Sequence, residues 1–189
     1  MRIGHLSRRF VGSLSPVGPS TEATAWVRSV LSPEEFALWN RMPAADRRHS
    51  VVVALRAEAI LAGRHTASAP GRTPAAPEPA ARVTRPVLAA ALLHDVGKLA
   101  SGLGTYNRVV ATLCGAATKG EMALLWSQTS GYTRRIGLYL RHAPLGADML
   151  AMAGSDPLTV TWAREHHLAP EQWTLDPRVA AALNAADDD

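Results

Sequence analysis

Apolar positions recur along most of this chain at intervals of three and four residues, the spacing of one face of an α-helix. The clearest start is Ser32-Pro33-Glu34-Glu35. Ser as N-cap, Pro in the first turn and Glu three residues on form a capping-box signature. It predicts a short helix through Trp39, preceded by another over about 22–31, and Met42-Pro43 ends it. Residues 44–61 read as a long helix, with Val52, Val53, Ala59 and Ile60 on its apolar face. Residues 86–93 are apolar nearly all round, as a buried helix must be. Further helices are predicted over about 103–117, 119–127, 131–141 and 143–153. Asp156-Pro157 and Asp176-Pro177, each an N-cap followed by Pro, open two more over 157–167 and 177–186. The 103–117 segment is apolar except at Asn107 and Arg108, and is expected to be a core helix, with membrane or partner contact as the alternative.

Two stretches lack this periodicity. Residues 1–19 carry Gly, Ser and Pro with Arg2, Arg8 and Arg9, and predict a flexible basic arm. Residues 63–84 are rich in Ala, Pro, Ser, Thr and Gly and predict an exposed, disordered loop. Everything from residue 20 to 189 then reads as a single all-α domain with that loop inserted, and a 189-residue chain fits one domain.

Composition sharpens this picture and removes some functions from it. The chain is 47% hydrophobic, but 34 of its residues are Ala and only two are Phe. Small side chains favour closely packed helices over sheets. A single cysteine, Cys114, excludes an internal disulfide and a Cys-rich zinc module. The net charge is +4, with only two lysines, Lys98 and Lys119. With no dense basic stripe and no aromatic platform, nucleic-acid binding is not expected. No window is long and apolar enough for a transmembrane helix, and Arg8, Arg9 and Ser13 interrupt any signal-peptide core. A cytoplasmic location is the expectation.

The chemistry lies in the histidines. His94-Asp95 ends the most apolar helix of the chain. An ionised carboxylate in such a setting needs compensation, and a divalent cation shared with a neutral imidazole supplies it. His49 lies on the 44–61 helix, His142 at a junction between two helices, and His166-His167 at the end of the 157–167 helix. Asp187 closes the final predicted helix. Any one of these could be an ordinary hydrogen-bonded side chain. Five of seven histidines at helix junctions or apolar faces, with two aspartates, suggest a site; His5 and His65 are expected to be solvated.

The order His49, His94-Asp95, Asp187 resembles the HD-domain superfamily of metal-dependent phosphohydrolases, named for the His-Asp doublet. The resemblance covers about residues 44–189. It is carried most specifically by Leu92-Leu93-His94-Asp95-Val96-Gly97-Lys98, and less so by Arg47-Arg48-His49-Ser50 and Ala185-Ala186-Asp187. It implies an HD-type helical bundle in which His49, His94, Asp95 and Asp187 bind one divalent ion. His142, in a His-x-x-x-Gly stretch, and the His166-His167 doublet resemble the branch holding two ions, with Asp95 bridging them. His166 is the favoured ligand of the doublet and His167 the alternative. The metal could be Mn, Fe, Mg, Zn or Co. Lys98 is expected near the substrate phosphate, with Arg47 or Arg141 as further sources of positive charge.

The resemblance has a limit. The cyclic-di-GMP phosphodiesterase branch carries a Gly-Tyr-Pro motif after its His doublet, where this chain reads Leu168-Ala169-Pro170. That substrate therefore does not carry over. The implied function is hydrolysis of a phosphomonoester or phosphodiester in a small, nucleotide-like molecule, with Asp95 and Lys98 as the catalytic pair. The alternative is a metal-bound HD module that regulates or scaffolds without turnover. Oligomeric state is not legible.

Overall fold

The computed structural model describes residues 17–63, 83–118 and 120–188, so the predicted basic arm (all but its last residues), most of the predicted loop, His5 and His65 lie outside the described residues. Among those described, ten α-helices and two 3-10 turns occur and no strand, so the protein is an all-α bundle. The helices are α1 (Thr21–Val30), α2 (Pro33–Arg41), α3 (Ala44–Leu61), α4 (Arg85–Leu93), α5 (Thr105–Ala117), α6 (Ala123–Ser127), α7 (Gly131–Leu140), α8 (His142–Met152), α9 (Pro157–Glu165) and α10 (Pro177–Asp188). The 3-10 turns are Val96–Ser101 and Pro170–Gln172.

The predicted punctuation is present. Ser32 Oγ accepts from Glu35 N while Glu35 Oε2 accepts from Ser32 N, closing the capping box of α2. Asp156 caps α9 through Leu158 N, and Asp176 accepts from the first amides of α10. Two boundaries differ from expectation. The helix expected over 119–127 is only α6, and α9 stops at Glu165, leaving His166 and His167 in the turn after it. The 3-10 turn that follows His94-Asp95 had no sequence signal.

α4 is the centre of the bundle. Val87, Ala89–Leu93 and Val96 are buried, and α1, α2, α3 and α9 pack around them. α10 lies on α3, and α8 lies on α9 and on the Val96–Ser101 turn. Trp39 is fully buried with its indole N–H donating to Ser50 Oγ at 2.9 Å, so Ser50, beside His49, is a structural partner of the core. Gly97 is required by close packing: a Cβ there would overlap the His142 carbonyl and the Gly146 amide. This brings the backbone after Asp95 against the start of α8.

α5 corrects an expectation. Among its described side chains only Ala111 is buried, while Tyr106, Val109, Val110 and Leu113 are exposed. α5 lies beside α7, with Leu103, Ala111 and Ile136 forming a small second core with Cys114, Trp126, Tyr139 and Leu140. That narrow seam covers one stripe of α5 and leaves its other apolar side chains in solvent. Apolar content marked α4 and α5 alike; only the number of neighbours separates them. No single described helix is long and apolar enough to cross a membrane.

Candidate metal centre

Three histidines of the cluster stand at helix C-termini, where backbone carbonyls lack an intrahelical donor. His94 follows α4, His142 follows the last turn of α7, and His166 follows α9. Each ring uses Nδ1 in the same way, against the carbonyl three residues earlier: Ala91 O at 2.9 Å, Tyr139 O at 2.8 Å and Ala163 O at 2.9 Å. A carbonyl can only accept, so each Nδ1 carries a proton. In the neutral ring this leaves an acceptor lone pair on Nε2. The same hydrogen bond orients imidazole ligands in metal sites.

The three Nε2 atoms converge on Asp95. His142 Nε2 lies 3.4 Å and His166 Nε2 3.8 Å from Asp95 Oδ1, while His94 Nε2 lies 3.4 Å from Asp95 Oδ2. Asp187 Oδ1 is 3.7 Å from His94 Nε2 and 2.9 Å from His49 Nε2. His167 Nε2 meets His142 Nε2 at 3.0 Å. Two groups result, Asp95/His142/His166/His167 and His49/His94/Asp187, each with potential ligand atoms within 4.8 Å of one another. The Asp95 carboxylate turns one oxygen toward each. All seven residues singled out by sequence are thus brought together, and both members of the doublet take part.

The donor set fits divalent cations. The Nε2 atoms of His94 and His166 are buried without a hydrogen-bond partner. Orphaned buried acceptors are costly, and acceptors facing a carboxylate repel it unless positive charge lies between them. Imidazole and carboxylate together suit Zn, Fe or Mn.

Without an ion, protons supply that charge unevenly. Burial opposes a charge on His94, but Asp95 and Asp187 outweigh it and raise its pKa to about 9. Burial likewise opposes ionisation of Asp95, yet Lys98 and then His94 hold its carboxyl well below the usual carboxylate range. Lys98 is raised, its burial being outweighed by Asp95, Tyr139 and Asp46. For His166, burial and then the neighbouring His94 and His167 lower the pKa to about 2. His167 is exposed as a residue, but its ring stands against His142 and His166. Desolvation there, followed by repulsion from His142, lowers it to about 4.

Lys98 Nζ pairs with Asp95 Oδ2 at the edge of the cluster. Arg47 and Arg141 are engaged elsewhere: Arg47 lies over Trp39 and donates to Asn40, and Arg141 donates to Ser127. Three groups that sequence reading missed stand close by. Asp46, which acts on Lys98, accepts from Arg108 Nη1 at 2.6 Å across 62 residues of chain. Tyr139 supplies the carbonyl that orients His142 and lays its ring against it, with centroids 5.7 Å apart. Glu165 accepts from Thr174 N and Thr174 Oγ1, at 2.8 and 2.7 Å, and ties down the turn that carries the doublet. None of these pairings has a sequence signature: the first depends on how α3 and α5 meet, and the other two on where α7 and α9 end and how the chain turns after them.

Fold and site together define an all-α protein with a buried His/Asp cluster able to hold a divalent cation. No protein-family model, no curated protein and no solved structure matches the chain.

Proposed function

We propose that the chain is a metal-dependent phosphohydrolase of the HD-domain type, acting on a phosphomonoester or phosphodiester of a small, nucleotide-like molecule. The observation that carries this reading is the Asp95 carboxylate set between two histidine groups, with the Nε2 atoms of His94 and His166, one from each group, buried without a hydrogen-bond partner. Asp95, His142, His166 and His167 would hold one divalent ion, and His49, His94 and Asp187 with Asp95 a second. Such ions, when bound, supply a water acidified toward neutrality and positive charge for the phosphoryl oxygens.

The chain's own residues do the rest. Hydrogen bonds from Nδ1 keep three rings aimed before any ligand arrives, so little reorganisation is needed. Lys98 offers a positive charge beside Asp95 to the charge that develops on phosphoryl oxygens. Tyr139 and Glu165 hold His142 and the doublet in place.

One observation favours the second reading, a metal-bound module without turnover. The Asp95/His142/His166/His167 group offers four ligands by itself, the number that closes a structural site. One experiment separates the two. Protein loaded with Mn, Fe, Zn, Mg or Co is assayed against a panel of phosphoesters and nucleotides, beside His94→Ala. Turnover lost in His94→Ala supports the hydrolase. Tight metal binding with no turnover on any substrate supports the module, and no metal binding overturns both.

A further inference from the structure

We propose that the α5–α7 face is an attachment surface for an anionic lipid bilayer. This rests on features separate from the histidine cluster. Tyr106, Val109, Val110 and Leu113 follow the i, i+3, i+4, i+7 spacing of one helical stripe, and all four are exposed. Tyr106 and Leu113 retain 70% and 64% of their full exposure, far more than a folded helix needs to give up to water. α6, which packs on the same helix α7, exposes Leu124 and Leu125, and α7 exposes Tyr132. Tyr132 Oη and Asn107 Oδ1 are 3.1 Å apart, so the second tyrosine adjoins the start of the stripe.

Charge selects the occupant. Between Asp95 and Asp148 the chain carries Lys98, Arg108, Lys119, Arg134, Arg135 and Arg141 against a single acid, Glu121. Lys98, Arg108 and Arg141 are used internally; Arg134 and Arg135 are exposed on α7, Arg135 while also donating to the Ser101 and Gly102 carbonyls. A second copy seated here by two-fold symmetry would oppose like to like, with almost no carboxylate to match the arginines. An anionic headgroup layer matches them, at about 1 kcal/mol per basic residue near the surface. Tyrosines suit the boundary between headgroups and chains. A helix lying in that plane buries its apolar side about 5–10 Å deep.

The test is co-sedimentation of the full chain with vesicles of phosphatidylcholine alone and of phosphatidylcholine mixed with phosphatidylglycerol. The expected result is binding to the mixed vesicles only, weakened by salt. Leu113→Asp should weaken it about tenfold or more, since one buried leucine is worth that factor. Arg134→Glu should weaken it less. Both variants are checked for unchanged circular dichroism and unchanged divalent-metal binding, which keeps the result independent of the proposed chemistry. Absence of binding to either vesicle overturns the proposal. So does binding that Leu113→Asp leaves intact, or a dimer in sedimentation equilibrium that Leu113→Asp dissolves while vesicles are ignored.

Discussion

The two sides of the cluster are held differently. On the inner side, His94, His142 and His166 are buried, and each is fixed through Nδ1 to a carbonyl at a helix end. On the outer side, His49 and Asp187 are half-buried and meet each other, and His167 is exposed and meets His142. The inner ligand atoms are placed by the ends of α4, α7 and α9, elements that the core already determines. The outer ones depend on contacts within the cluster itself. One side is preorganised, and the other could adjust to an ion if one binds as proposed.

The comparison breaks most severely at Asp95, which both sides share. Asp95→Ala should weaken divalent-ion binding by more than about 100-fold, beyond the 10–100-fold typical of a residue that only supports a ligand. Titration calorimetry checks this, and affinity within tenfold of the parent would remove Asp95 from the centre. Next comes the scaffold of the inner side. Gly97→Ala forces backbone apart at the start of α8. It should cost about 1–3 kcal/mol in thermal or urea unfolding, the usual overpacking penalty, and should weaken metal binding as well. If only stability falls, the position of His142 does not depend on that contact.

A direct comparison of one ligand from each side follows. His94→Ala should reduce metal affinity by roughly tenfold more than His167→Ala, because a fixed ligand is lost without replacement while an exposed one can be replaced by water. Equal losses would erase the distinction between the sides.

The pH dependence of the metal-free protein sharpens it further. His94 is raised from 6.5 to about 9, so its contribution to stability is complete below pH 6.5 and is lost as pH rises through 9. His166 and His167 are lowered, to about 2 and about 4, so theirs is complete above pH 6.5 and is lost as pH falls. Melting temperature without metal should therefore peak near pH 6.5. On the proposed ligand assignment a bound ion would replace the proton on His94, so loaded protein should lose the alkaline decline. A decline of equal size with and without metal would argue against His94 as a ligand. The smallest effect is expected far from the cluster. Ser32→Ala removes the cap of α2 at a cost of about 1 kcal/mol and should leave metal affinity unchanged.

Much of this was legible in the sequence, and the parts that were not share a cause. The N-caps at Ser32, Asp156 and Asp176 are local chemistry, so helix starts could be read directly. The all-α class followed from periodicity, and the seven His and Asp positions from their places at helix ends and apolar faces. The hydrogen bonds from Nδ1 were not legible, because they require knowing to the residue where α4, α7 and α9 stop. The Asp46–Arg108 pair depends on how two helices meet, and the Glu165–Thr174 pair on how the turn after α9 folds back. α5 shows the same limit from the other direction. Its apolar residues say that something can cover them, and only the packing shows that α7 covers one stripe.

His49 and Asp187 are 138 residues apart in the chain, yet their side chains meet at 2.9 Å. An ion gripping both would tie a loop of that length, and α10 would be fastened to α3 by coordination as well as by packing. Loop closure grows costly only slowly with length, so a single ionic clasp suffices to join such distant segments. A ligand that binds only the folded chain stabilises it by mass action. The concentration of free divalent ion would then govern how often α10 lifts away, and backbone amide exchange in that helix would track it.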